Sequence, residues 1–361
     1  MNEAIFGKFY SPTKALSYHR PWILSIGTRS IGKSTGWLIK AIGNWCETGQ
    51  KFIYVRRTDD EIKITAKTAC NNSVDILHQN GYNICSIEAR NGGFYAKNKA
   101  GEKHLCGYYI GLSVEYKHKS SNYSDVKYII YDEFMATDSS RYLGGVRNPL
   151  QEYDNCLELY QTVDRGIGQA ARNETIFVFI ANIATYYSPI FVGLGVDKYI
   201  TPESRYIAPK DELWVCEQTK GVPATSEIMN SFAARLGSKK YTAYAYGGDT
   251  LLDGGNEFVE ESNEPLVPLL HVIYRNTHVG IYRMQKSNKI YFSKKLPTFK
   301  PLALSVGDQN GMDYTIIRRP SEYIPIRQIQ LNILQGNCQY ETRRIKILMI
   351  TYFNLLPNSD V

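Results

Sequence analysis

This sequence of 361 residues has no Cys-x-x-C pair, and its seven cysteines are scattered and odd in number. That argues against a disulfide framework and for thiols kept reduced in a cytosol. The six histidines show no metal-ligand spacing, so the only metal expected is one that arrives with a bound nucleotide. No stretch is apolar enough to span a bilayer. The N-terminus, Met1-Asn2-Glu3-Ala4-Ile5-Phe6-Gly7-Lys8, lacks the basic-then-apolar order of a secretion signal. Charge is not lopsided: 42 basic against 35 acidic residues leave +7, which is compatible with a polyanionic partner and does not require one. No internal repeat is visible.

What is present is a complete G-x-x-x-x-G-K-S string, Gly27-Thr28-Arg29-Ser30-Ile31-Gly32-Lys33-Ser34. An apolar run, Trp22 to Ile26, feeds it as a buried strand. A helical pattern follows, with Leu38, Ile42 and Trp45 spaced i, i+4, i+7. In that context the glycines let backbone N–H groups close round a phosphate, Lys33 reaches the outer phosphates and Ser34 ligates Mg²⁺, with Thr35 next in line.

Residues 1–220 alternate strand and helix patterns, the signature of a parallel-type sheet covered on both faces. Lys51 to Arg57 reads as a strand ending in two arginines, and residues 59–78 as helical. Gly93 to Ala96 and Leu105 to Ile110 read as paired strands joined by a lysine-rich turn. A helix is expected from Pro149 to Asp164, capped by Asn148 with Gln151 completing a capping box. Its apolar face is expected along Leu150, Tyr153, Leu157 and Tyr160. Residues 221–250 read as a linker with one short helix. Residues 251–361 read as a small α+β domain, with strands at 268–274, 279–282 and 289–292 and helices near 321–334 and 340–354.

Tyr128-Ile129-Ile130-Tyr131 is a short buried strand delivering Asp132-Glu133. A carboxylate there supports the metal shell, and a glutamate one residue on polarises the attacking water. Charge on the transferred phosphoryl group calls for a cation. Arg29 could act on its own subunit. Arg165, past the end of the helix, could reach a neighbour's nucleotide, or simply satisfy helix carbonyls, which spacing alone favours. Asn182, at the tip of strand 175–180, either binds the γ-phosphate or water or is a strand-end turn residue. Lys97, Lys99, Lys103, Lys117 and Lys119 are either DNA backbone contacts or solvated lysines.

The succession Phe9-Tyr-Ser-Pro-Thr-Lys-Ala-Leu-Ser-Tyr18, the phosphate loop, Phe52-Ile-Tyr-Val-Arg-Arg57, Asp132-Glu-Phe134 and Thr162-Val-Asp-Arg165 resembles the DNA packaging ATPases of small phi29-type podophages. The resemblance covers nearly all of the first 220 residues. It implies an additional-strand P-loop ATPase domain followed by an RNase H-like domain without a working nuclease. It further implies ATP and Mg²⁺, double-stranded DNA, a homopentameric ring at the portal of a procapsid in the host cytoplasm, and in some relatives a packaging RNA. Matched residue by residue, Lys33, Ser34, Asp132 and Glu133 form the hydrolytic site. Arg165 falls on the trans-acting arginine, Arg29 on the loop arginine, and Tyr10, Pro12 and Tyr18 on base contacts. Asp253, Asp308 and Asp313 are isolated carboxylates, in keeping with no DNA cleavage. Asp59 departs from the family, which has a basic residue at that point. Rival readings are another P-loop translocase or helicase-type ATPase, and an assembly factor that binds nucleotide without turnover.

Overall fold

A computed structural model describes residues 2–29, 31–114, 123–136, 141–144, 150–165, 172–185, 188–200, 204–219, 260–274, 277–304, 315–317 and 323–355. Ser30, Lys117, Lys119, the 221–250 linker with its expected helix, and Asp253, Asp308 and Asp313 lie outside these residues. The chain divides into two compact units, the first holding most of residues 1–249 and the second residues 250–361 with two short earlier segments.

The first unit is a nine-stranded sheet. Its strands are β1 (Trp22–Gly27), β2 (Lys51–Arg56), β3 (Ser86–Arg90), β4 (Gly93–Lys97), β5 (Lys103–Gly111), β6 (Val126–Asp132), β7 (Ile176–Asn182), β8 (Tyr206–Ile207) and β9 (Trp214–Thr219). They lie in the order β3-β4-β5-β2-β6-β7-β1-β9-β8. The six from β5 to β9 run parallel, and β3, β4 and β8 add antiparallel edges. Strand β7 sits between β1, which feeds the phosphate loop, and β6, which ends in Asp132. That inserted strand is the additional-strand arrangement. The central strands are buried on both faces, so they read as unbroken apolar runs without alternation.

Helix α1 (Thr13–Leu16) and α2 (Lys33–Thr48) precede a pair, α3 (Asp59–Ala69) and α4 (Asn71–Gln79), where a single helix was expected. Thr58 caps α3 by accepting from the Glu61 N–H, and Asp59, Asp60 and Glu61 then face the positive end of its dipole. Helix α5 (Gln151–Asp164) starts two residues late, with Leu150 at its N-cap and no side-chain cap bond. Asn148 and Pro149 lie outside the described residues. The expected apolar face is also displaced. The buried positions are Glu152, Cys156, Leu159, Val163 and Asp164, while Tyr153, Leu157 and Tyr160 are half-buried beside a cavity of about 1000 Å³. The reason is Glu152, a charged residue drawn into the core by Arg57. Helix α6 (Pro189–Leu194) follows β7.

The second unit has a six-stranded sheet: β10 (Leu266–Tyr274), β11 (Thr277–Met284), β12 (Ile290–Ser293), β13 (Leu302–Leu304), β14 (Thr315–Ile317) and β15 (Cys338–Tyr340). Their order is β14-β13-β10-β11-β12-β15. Strands β10, β11 and β12 are antiparallel neighbours, and β13 and β14 continue parallel to β10, the RNase H-like succession, with β15 added beside β12. Helices α7 (Ile324–Leu334) and α8 (Arg343–Leu355) follow, near the expected segments. Residues 294–301 cross from β12 to β13 without a helix.

Candidate nucleotide site

The site forms where parallel strands end together. Register pairs Gly27 with Asn182 across β1 and β7, and Asp132 with Ile180 across β6 and β7. The phosphate loop, Asn182 and the acidic pair therefore share one edge of the sheet. Gly32, at φ +74, turns the chain into α2 through a conformation that side chains other than glycine rarely adopt.

Lys33 is buried and donates to the Thr28 carbonyl at 2.6 Å and to Asn182 Oδ1 at 3.3 Å. With its amide turned over, Asn182 instead donates to the Gly27 carbonyl and accepts from Arg29 Nε, both at 3.3 Å. Either way Asn182 is tied to the loop. Burial, with Arg29 adding to it, pulls the Lys33 ammonium down to about 8 against the opposing pull of Asp132 and Glu217. Ser34 Oγ donates to Asp132 Oδ1 at 2.9 Å, and Tyr54 OH donates to Oδ2 at 2.8 Å. Burial raises the Asp132 carboxyl above its ordinary value, while Arg56 and these two hydrogen bonds act in the other direction. One hydroxyl and one carboxylate side by side suit Mg²⁺, which takes one or two protein oxygens and completes its shell from phosphates and water. The donor set fits the metal.

Glu133 occupies the left-handed region at φ +56, a conformation uncommon for a non-glycine residue and concentrated at functional sites. Its exposed carboxylate accepts from Arg56 Nη2 at 2.5 Å, and Arg56 Nη1 lies 3.8 Å from Asp132 Oδ2. Arg57, one residue on, points inward instead. It donates to Glu152 Oε2 at 2.9 Å and to the Phe134 carbonyl at 2.7 Å, and Tyr131 OH donates to Glu152 Oε1 at 2.7 Å. This buried cluster fixes the turn after Glu133 to α5.

The N-terminal segment braces the loop from outside. The Tyr10 N–H donates to the Ile31 carbonyl at 3.0 Å. Its ring is buried, and its hydroxyl meets Glu217 Oε2 at 2.5 Å and Ser25 Oγ at 3.0 Å. Tyr206 closes on the other Glu217 oxygen, also at 2.5 Å, and stacks on Tyr18 at 5.7 Å between ring centres. A cavity of about 430 Å³ lies between Phe9, Ile31, Arg205 and Thr219. Pro12 is buried at the start of α1.

Arg165 lies far from this edge. It is exposed at the end of α5, and the neighbouring Asp164 accepts from the N–H groups of Asn173, Glu174 and Thr175, just before β7 begins. The seven residues of β7 put about 20 Å between that end and Asn182. Of the basic turn, Lys103 is paired with Glu88 at 2.6 Å, Lys97 ends β4, and Lys99 is anchored through its N–H to Asn83. Of these three lysines, Lys103 has its charge met by a carboxylate. Sequence reasoning missed Arg56, Tyr54, Glu152 and Glu217. The two arginines were legible as a strand end, but their partners come from strands and helices far along the chain.

Fold and site together define a P-loop nucleotide-binding protein with an inserted central strand. More particularly, the chain belongs to the Podovirus DNA encapsidation protein (Gp16) family, whose pattern matches residues 4–353. The DNA packaging protein of Bacillus phage phi29 is 32% identical over 185 residues, 51% of this chain and 49% of the relative. That match spans about half the relative's length. The DNA packaging protein of Bacillus phage B103 is 23% identical over 337 residues, 92% of this chain and 96% of the relative. Among solved structures, a chain of the phi29 viral genome packaging motor assembly superposes with a TM-score of 0.66 at 20% identity, covering 97% of this chain and 99% of that one. At that identity the likeness speaks for the fold.

Proposed function

We propose that this protein is an ATP-driven motor that moves double-stranded DNA into a viral procapsid. One observation carries the reading. Ser34, Asp132 and Lys33 meet at the strand tips, with Ser34 Oγ 2.9 Å from Asp132 Oδ1 and Glu133 on the next residue, in a chain of a DNA encapsidation family.

Ser34 and Asp132 hold Mg²⁺, which when bound neutralises charge on the phosphate oxygens. Lys33 exchanges its loop carbonyl for phosphate oxygens, and Asn182 and Arg29 stand beside it. Glu133 polarises the attacking water once its carboxylate leaves Arg56. Arg165, on the opposite edge from its own loop, serves a neighbouring subunit in a ring. Five copies of the chain in one ring on the portal vertex, in the host cytoplasm, complete the assembly. The base takes the cavity beside Ile31. Residues 1–220 form the ATPase domain and 251–361 the RNase H-like domain. Among the described residues no strand of that second sheet carries a carboxylate, which supports a domain that binds without cutting.

The test is protection of DNA from added nuclease by purified procapsids and this protein. Protection is expected with ATP, and none with Lys33→Ala. ATP-independent protection, or turnover unaffected by Lys33→Ala, overturns the reading.

A further inference from the structure

The helix-free crossing from β12 to β13 carries Lys294, Lys295, Leu296, Phe299 and Lys300, all exposed, and no acidic residue. No carboxylate among the described residues pairs with any of the three lysines. Glu341, the carboxylate that faces the loop, is turned onto Ser293 Oγ and the Lys294 N–H, at 2.5 and 2.8 Å. The backbone is held at several points. Tyr282 OH donates to the Lys295 carbonyl at 2.9 Å. His271 Nδ1 meets the Phe299 carbonyl at 3.3 Å, and its Nε2 lies 2.9 Å from His278 Nδ1. Gly280 lets the loop lie flat on β11, since a Cβ there would stand 2.0 Å from the Lys295 carbonyl oxygen.

We propose that residues 294–300 are a preformed contact for the phosphodiester backbone of a duplex nucleic acid. Lysines are flexible point charges that suit phosphates and carry no base readout. Three of them on a stretch of at most about 20 Å can meet successive phosphates. A backbone already fixed loses little entropy on binding. The choice of polymer rests on the packaging reading; the contact itself does not.

The experiment compares the full chain with the Lys294→Ala, Lys295→Ala, Lys300→Ala triple variant. Affinity is measured against salt for a DNA duplex and for an RNA duplex of equal length. The salt slope is expected to fall by roughly 0.9 per lysine lost on DNA, or 2 to 3 in all, with weakening of about a hundred-fold or more near 0.1 M salt. Replacing all three by arginine restores the slope. ATP turnover without DNA is expected to stay unchanged, which separates this test from that of the ATPase site, and recovery by the arginine variant shows that the loss comes from charge. A fall confined to the RNA duplex supports the contact and assigns it to RNA. Unchanged slopes on both duplexes overturn it, and loss of procapsid docking with unchanged slopes assigns the loop to a protein partner instead.

Discussion

On the proposed reading, the contact between Arg56 and Glu133 governs whether a water molecule meets a base. The Glu133 oxygen bonded to the Arg56 guanidinium at 2.5 Å is already engaged, so it cannot also hold a water. Freed of its partner, Glu133 should act without waiting for DNA. Arg56→Gln is therefore expected to bring turnover with and without DNA toward equality, measured by phosphate release. Glu133→Gln should keep nucleotide affinity and lower turnover by about a hundred-fold or more. Lys33 adds a pH signature. Its ammonium, pulled down to about 8 by burial, loses its proton above that pH, while a bound triphosphate favours the protonated form. Affinity for ATP should be level below pH 8 and fall above it by up to ~10-fold per pH unit, with proton uptake on binding. Calorimetry in buffers of different ionisation enthalpy reads both. The string from Gly27 to Ser34 was legible because a phosphate cradle is a local structure. Arg56 was not, because its partner is brought up by sheet register 77 residues away.

At the scale of elements, α5 links the acidic strand to Arg165 at its C-terminal end. Its first turn is pinned to the acidic strand through Glu152, Arg57 and Tyr131, and its last residue precedes Arg165. Removing Glu152 leaves a guanidinium buried without its carboxylate, so Glu152→Ala should lower stability by about 3–5 kcal/mol in denaturant titrations. The helix also runs back along the sheet, which sets Arg165 on the edge away from its own loop. Arg165→Ala subunits, inactive alone, are expected to regain hydrolysis when mixed with Lys33→Ala subunits. Silence in every mixed ring would show that the arginine does not act between subunits. The helix itself was visible in the sequence, but its buried face was misplaced. Periodicity counts apolar residues and has no means of foreseeing that an ion pair will take Glu152 into the core.

Across the whole molecule, the two sheets carry different features, one the phosphate loop and acidic pair and the other the basic loop 294–300. Incubation of the full chain with plasmid DNA and Mg²⁺ or Mn²⁺ is expected to leave the DNA uncut. Six of the nine strands in the first unit and three of the six in the second followed from hydrophobic pattern, because burial on two faces or one writes itself into the order of residues; β3, β8, β9, β13, β14 and β15 were not foreseen. The phosphate loop, the acidic pair and the family they belong to were likewise written in short contiguous segments, where spacing alone carries the chemistry. Strand order, the clasp of Arg56 on Glu133, the interior position of Glu152 and the distance of Arg165 from its own loop emerged only from folding. Each depends on contacts between residues tens to hundreds of positions apart, and no local pattern encodes which distant side chain will neutralise a given charge.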